Sequence, residues 1–223
     1  TASPDDVPVL SFAAPLAYHT AVYRSDNQIG LLDRHSEIMH DSCSRNFYFA
    51  PNTGSMPGLL LLTDSKYGYR GFEDTLQVTL LRSSSNPDPY PELGVSHFRF
   101  GLSCEQDDAF ALKAAGDLFV NRDLPYASNT AHTGSLPLTD RFIRLHGDAL
   151  VTAVKVSEKK DGIVVRLASI YTDRESSVSL SLDGLRIAHA VDLAEQPLYS
   201  YDVKEETVTF TLKAGQTISL LLR

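Results

Sequence analysis

Side chains suited to acid–base, metal or nucleophilic chemistry are sparse in this sequence, and few of them cluster. The densest group is Asp33-Arg34-His35-Ser36-Glu37-Ile38-Met39-His40-Asp41. Imidazole and carboxylate are ligands that zinc takes. Arg34 sits among them, however, and a solvated charged loop accounts for the same composition. His132 lies in the polar stretch 121–140, where it either meets a ligand or bonds local backbone, the commoner fate of such a residue. The proline loop Asn86-Pro87-Asp88-Pro89-Tyr90-Pro91-Glu92-Leu93-Gly94 holds a carboxylate pair, Asp88 and Glu92, rigidly. Acid–base work on a sugar needs two carboxyls facing each other across a cleft, and their closeness on one turn points instead to ordering of the loop. Tyr67, Tyr69 and Tyr90 offer flat faces for a sugar or for core packing, and without a partner acid packing is the simpler reading. There is no GxSxG elbow, HExxH, phosphate-binding glycine loop or CxxC.

The elements that must position these residues are mostly strands. Segments 7–12, 18–24, 29–32, 46–50, 59–63, 75–82 and 95–103 have strand length and residue types. In 95–103, His97, Arg99 and Gly101 alternate with Phe98, Phe100 and Leu102, the period of a half-buried strand. Residues 63–71 read as a turn between core strands. One helix stands out: Asp107-Asp108 supplies a cap and first turn, followed by Phe110, Leu112, Ala114, Ala115 and Leu118, ending at Gly116 or soon after. The stretch 121–140 is long for a packed connection. Beyond it, 150–157, 163–170, 177–182, 186–193, 207–212 and 217–222 are short strands with polar turns between them. Many short strands and one helix predict an all-β sandwich.

The chain has 223 residues and a net charge of −8, with 43% hydrophobic and 22% charged residues. It has ample capacity for a core. Its acidic balance, with Lys and Arg scattered, argues against nucleic acid and against an anionic membrane surface. No apolar run approaches the roughly 20 residues that span a bilayer. The first residues, Thr-Ala-Ser-Pro-Asp-Asp, lack the regions of a signal peptide and an initiator Met, as expected of a processed chain or, more simply, an excised piece. Cys43 and Cys104 are expected as two buried free thiols rather than a disulfide.

Leu59-Leu-Leu-Leu-Thr63-Asp64-Ser65-Lys66-Tyr67-Gly68-Tyr69-Arg70-Gly71 resembles a segment of the bacterial and cytosolic α-mannosidases of glycoside hydrolase family 38. The resemblance continues through 76–83, the proline loop and the strand that begins Val95-Ser-His97. Later, Lys155, the Gly162 turn and Val165-Arg166-Leu167 resemble the family's basic-x-polar-Gly segment, and Asp192-Leu193-Ala194-Glu195 its D-L-x-E. The sequence departs in two places. Ala168-Ser169 stand where the family usually has Tyr-Glu. Asn27 and Gln28 stand where an apolar-Pro-aromatic run is common, although Gly30 and Arg34 keep their spacing.

In that family an N-terminal α/β barrel carries the Asp nucleophile, the acid/base Asp and a zinc site, and nothing here is similar to it. The resemblance therefore implies a large antiparallel β-sandwich of the supersandwich, galactose mutarotase-like kind over 1–140, with a smaller C-terminal β-sandwich over 141–223. It implies the non-catalytic part of a retaining zinc-dependent α-mannosidase, inactive alone and cytoplasmic, with the barrel of the same polypeptide as partner and a mannose-containing oligosaccharide as substrate. No catalytic or metal-ligating residue is expected in this chain, and the zinc belongs to the barrel. Residues expected at the substrate rim are Asn27, Gln28, Gly30, Asp88, Tyr90 and Glu92. A free-standing carbohydrate-binding sandwich is the alternative, and a homo-oligomer is left open.

Overall fold

The computed structural model describes residues 7–72, 74–84, 86, 92–121, 133–135 and 141–223. Asp88, Tyr90 and His132 lie outside them. The chain divides into two compact units, Thr1–Pro125 and Tyr126–Arg223.

The first unit runs β1 (Val9–Pro15), β2 (Val22–Asn27), β3 (Gly30–His35), β4 (Ser42–Cys43), β5 (Phe47–Ala50), β6 (Gly58–Thr63), β7 (Gly68–Phe72), β8 (Thr75–Arg82), β9 (Phe100–Glu105) and helix α1 (Ala109–Asn121). Two antiparallel sheets result, ordered β1-β8-β7-β4 and β3-β2-β5-β6-β9. Strands β5 and β6 are apolar at successive positions because both of their faces are covered. Side chains alternate across a strand, so Tyr48, Ala50 and Leu61 pack with Tyr69, Leu76 and Val78 of the other sheet. Phe47, Phe49, Leu60 and Leu62 turn the other way, against Leu112 of α1. Asp108 caps the helix, its carboxylate accepting the Ala111 N–H at 2.8 Å. Gly116 lets α1 approach β5, since a Cβ there would lie 2.8 Å from the Phe47 ring.

The second unit runs β10 (Arg144–His146), β11 (Ala149–Val156), β12 (Ile163–Ser169), β13 (Ser176–Ser181), β14 (Ala188–Val191), β15 (Pro197–Tyr201), β16 (Val203–Lys204), β17 (Thr207–Leu212) and β18 (Thr217–Leu222). Its sheets are β10-β13-β17-β16 and β11-β12-β18-β14-β15. Every pairing is antiparallel. Val165, Leu167, Ala190, Leu220 and Leu222 pack with Val178, Leu180, Val208, Phe210 and Leu212 as one core. The all-β sandwich with one short helix is thus the observed fold. No helix among the described residues is long and apolar enough to cross a membrane.

Several local expectations change. The turn expected over 63–71 contains strand β7, which pairs with both β8 and β4. The strand expected from residue 95 begins at Phe100, because its partner β6 ends at Thr63, opposite Phe100. Its alternation is real, but the apolar side is the open one: Phe100 and Leu102 are 38% and 51% exposed. Gly101 faces α1, where a Cβ would lie 2.9 Å from the Phe119 ring. The helix runs past Gly116 to Asn121, and Leu118 is exposed rather than packed. Cys43 and Cys104 are free thiols as expected, but both are exposed, each on an edge strand.

The family-like segments of the second unit serve architecture. The Asp192 carboxylate accepts the N–H groups of Ala194 and Gln196, closing the β14–β15 turn. Glu195 accepts the Glu158 N–H at 2.7 Å and pairs with Lys155 at 2.9 Å, so that turn is tied to the β11–β12 hairpin. These contacts hold the Glu195 carboxyl below the usual carboxylate range, Lys155 contributing most. Gly162 has no room for a side chain, because a Cβ would lie 2.5 Å from the Leu222 carbonyl.

Ala168 and Ser169 are both fully buried. Ser169 donates its N–H to the Gln216 carbonyl and its hydroxyl to the Tyr171 carbonyl, each at 2.8 Å. Ala168 has no exposed surface, so a tyrosine ring at this position would have to displace its neighbours. Ala168→Tyr is expected to cost about 1–3 kcal/mol of stability through overpacking, read from the urea midpoint; an unchanged midpoint would show the site to be open.

Candidate functional site

The residues from Thr63 to Tyr69 form a lock before they form a surface. The Thr63 hydroxyl donates to the Lys66 carbonyl at 2.8 Å. With its one proton so used, it accepts from the Tyr69 hydroxyl, 2.6 Å away. Tyr69 is fully buried and stacks on Tyr48, with centroids 5.5 Å apart; Tyr48 in turn stacks on Tyr23 at 5.6 Å. Burial pushes the Tyr69 and Tyr48 phenols up, and Tyr23 up to about 12. Tyr69 is therefore a core residue and cannot be a sugar platform. Tyr67, two residues earlier and just before β7 begins, is 61% exposed.

Next to Tyr67 is an open depression of about 340 Å³. It lies where edge strand β3 of one sheet and edge strand β4 of the other come to the surface. Its exposed members are Asn27, Gln28, Cys43, Arg45 and Tyr67; Leu32 and Arg34 are half-buried, Asp26 and Ser44 buried. The rim is the β2–β3 hairpin, in which Asn27 pairs with Gly30 across Gln28 and Ile29. Gly30 has φ of 140°, a conformation that side chains disfavour. The Asn27 side-chain oxygen accepts the Gln28 N–H at 2.7 Å.

This hairpin is fixed by a buried ion pair. Lys113 Nζ lies 2.6 Å from Asp26 Oδ1, with the two side chains 4% and 1% exposed, and it also donates to the Asn27 carbonyl at 2.8 Å. The other carboxylate oxygen of Asp26 accepts the Asn46 N–H at 3.1 Å. Asp26 N–H donates to Ser44 Oγ at 2.7 Å, and its carbonyl accepts the Arg45 N–H at 3.0 Å. Burial pushes the Asp26 carboxyl up, opposed chiefly by the Lys113 ammonium. Its oxygens are already engaged, so Asp26 positions the hairpin and is not free to move protons.

Of the residues expected at the rim, Asn27 and Gln28 line the depression and Gly30 shapes its hairpin. Glu92 is exposed at φ of 49° and does not line it. The acidic–histidine run does not converge on a point: Asp33 pairs with Arg24, Asp41 with Arg70 at 2.6 Å, and Glu37 approaches His40 at 3.8 Å. Among the described residues, no group of three or more His, Cys, Asp or Glu side chains could hold a metal ion. The described residues therefore do not fit a zinc site. Lys113 went unread in the sequence, although it follows Leu112 and shares the helix face of Gly116, where a lysine requires a partner.

Residues 149–216, within the second unit, match the model of the glycosyl hydrolases family 38 C-terminal beta sandwich domain. The whole chain is similar in fold to an alpha-mannosidase from Enterococcus faecalis V583, with a TM-score of 0.74 and 17% identity. The match covers 96% of this chain and 26% of that one. A protein in the glycosyl hydrolase family 38 from Enterococcus faecalis is similar at a TM-score of 0.69 and 18% identity, again over 96% and 26%. The chain thus spans about a quarter of the length of these proteins. No curated protein matches the sequence.

Proposed function

We propose that this chain is the C-terminal, non-catalytic portion of a retaining, zinc-dependent α-mannosidase of the cytoplasm, working with a catalytic α/β barrel of the same polypeptide on a mannose-containing oligosaccharide. The family-domain match over 149–216 carries the reading. A fold likeness that takes in nearly all of this chain and a quarter of an alpha-mannosidase chain supports it. The zinc and both carboxylates of the double displacement come from the barrel. Retaining hydrolysis needs two carboxyl groups roughly 5 Å apart on either side of the glycosidic bond. Asp26 is the one carboxylate lining the depression among the described residues, and it is engaged by Lys113. This chain's part is to present the hairpin amides of Asn27 and Gln28, together with the proline loop 88–94, at the edge of the cleft.

A second reading rests on Tyr67, whose exposed ring beside the depression could stack on a sugar in a free-standing binding module. Calorimetric titration of the chain with mannose and mannobiose separates the two. The proposal expects no saturable heat at millimolar sugar, because most of the substrate site lies in the barrel. Saturable heat that disappears in Tyr67→Ala would instead make the chain a binding module.

A further inference from the structure

The depression has an electrostatic character that a neutral mannoside does not use. Arg24, Arg70 and Arg99 of the same unit each meet a carboxylate. Arg34 and Arg45, both lining the depression, do not: neither guanidinium has a hydrogen bond or ion pair among the described residues. The Nε–H of Arg34 is buried with no acceptor, which leaves its desolvation uncompensated. Asp26, the one carboxylate lining the site among the described residues, is paired with Lys113 and attracts Arg45 only more weakly, beyond ion-pair distance. Two positive charges therefore stand unbalanced in a concave site of a chain whose net charge is −8. Clefts of one sign focus the field on a counter-ion.

We infer that this depression binds a small anion, a carboxylate or phosphate held by the guanidiniums of Arg34 and Arg45. Guanidinium forks match both anions with paired charge-assisted hydrogen bonds. The volume of about 340 Å³ is at the small end of ligand pockets and suits an anion on a body no larger than a monosaccharide. The Asn27 and Gln28 amides and the Tyr67 ring are placed to meet that body. The inference shares Asn27 and Gln28 with the mannosidase reading but rests on Arg34 and Arg45, so either can fail without the other.

The test follows backbone amide shifts of the ¹⁵N-labelled chain during titration with inorganic phosphate and, separately, acetate. Saturable shifts confined to residues 26–28, 34, 43–45 and 67 are expected with at least one anion, weakening as chloride is raised. Arg45→Gln changes an exposed side chain and keeps the fold, so its spectrum serves as the folding control; affinity is expected to fall roughly tenfold or more, the loss of one charge-assisted contact. Arg34→Gln is expected to act alike. Glucuronate and glucose 6-phosphate then tell the two sources apart, the tighter binder naming the anion. Absence of saturable shifts with both simple anions overturns the inference, as does binding that survives both substitutions.

Discussion

Replacing Lys113 with methionine is expected to destabilise the first unit by about 3–5 kcal/mol, the range for removing one partner of a buried ion pair. The change deletes an ammonium 2.6 Å from Asp26 and leaves that carboxylate 1% exposed with a backbone N–H as its remaining hydrogen-bond donor. It also frees the Asn27 carbonyl and with it the hairpin at the rim of the depression. The loss is read from urea denaturation followed at the amides of β2 and β5. Coupling distinguishes this from simple loss of packing. Asp26→Leu combined with Lys113→Met is expected to recover most of the stability, since an apolar pair of similar volume replaces two desolvated charges. A double-variant loss equal to the sum of the two single losses would show that the two charges act independently and that the pair contributes little. Anion binding at Arg34 and Arg45 should weaken in Lys113→Met while the rest of the spectrum stays folded.

Tyr48→Ala is expected to cost a similar amount, about 3–5 kcal/mol, for a different reason. Tyr48 is the middle ring of the Tyr23–Tyr48–Tyr69 stack, and it is 1% exposed. Removing it opens a cavity between the sheets that the flanking rings, held by β2 and β7, cannot fill. The outer members give the control. The Tyr69 hydroxyl is bonded to Thr63, so Tyr69→Phe loses a buried hydrogen bond of about 1 kcal/mol. The Tyr23 hydroxyl is buried without a partner among the described residues, so Tyr23→Phe is expected to be neutral or stabilising. A cost for Tyr23→Phe equal to that for Tyr69→Phe would contradict this account of the stack.

The fold was legible where one period dominated. Strand β8 was read to the residue, because Leu76 and Val78 alternate with polar neighbours over one buried face. Strand β7 was missed because its residues are small or polar apart from Tyr69 and Phe72, and its burial comes from the neighbouring sheet. Strand β15 was missed because it is an exposed edge that begins with Pro197 and has no buried face to set a period. The site was only partly legible. Asn27, Gln28 and Gly30 are adjacent in sequence and could be named together. Cys43, Arg45 and Tyr67 join them only because β4 pairs with β7 and β2 with β5, which no local pattern encodes. The tyrosine-rich segment identified by its family resemblance proved to be mostly framework, with Tyr67 alone facing the depression.

The role proposed for this chain is to support a mannosidase site whose chemistry lies elsewhere in the polypeptide. Its most direct test is hydrolysis of an aryl α-mannoside by the purified 223-residue chain, with zinc supplied and withheld. The account predicts no turnover in either condition, and turnover only when the catalytic barrel accompanies the chain. Zinc-dependent release of the aryl group by the chain alone would contradict it.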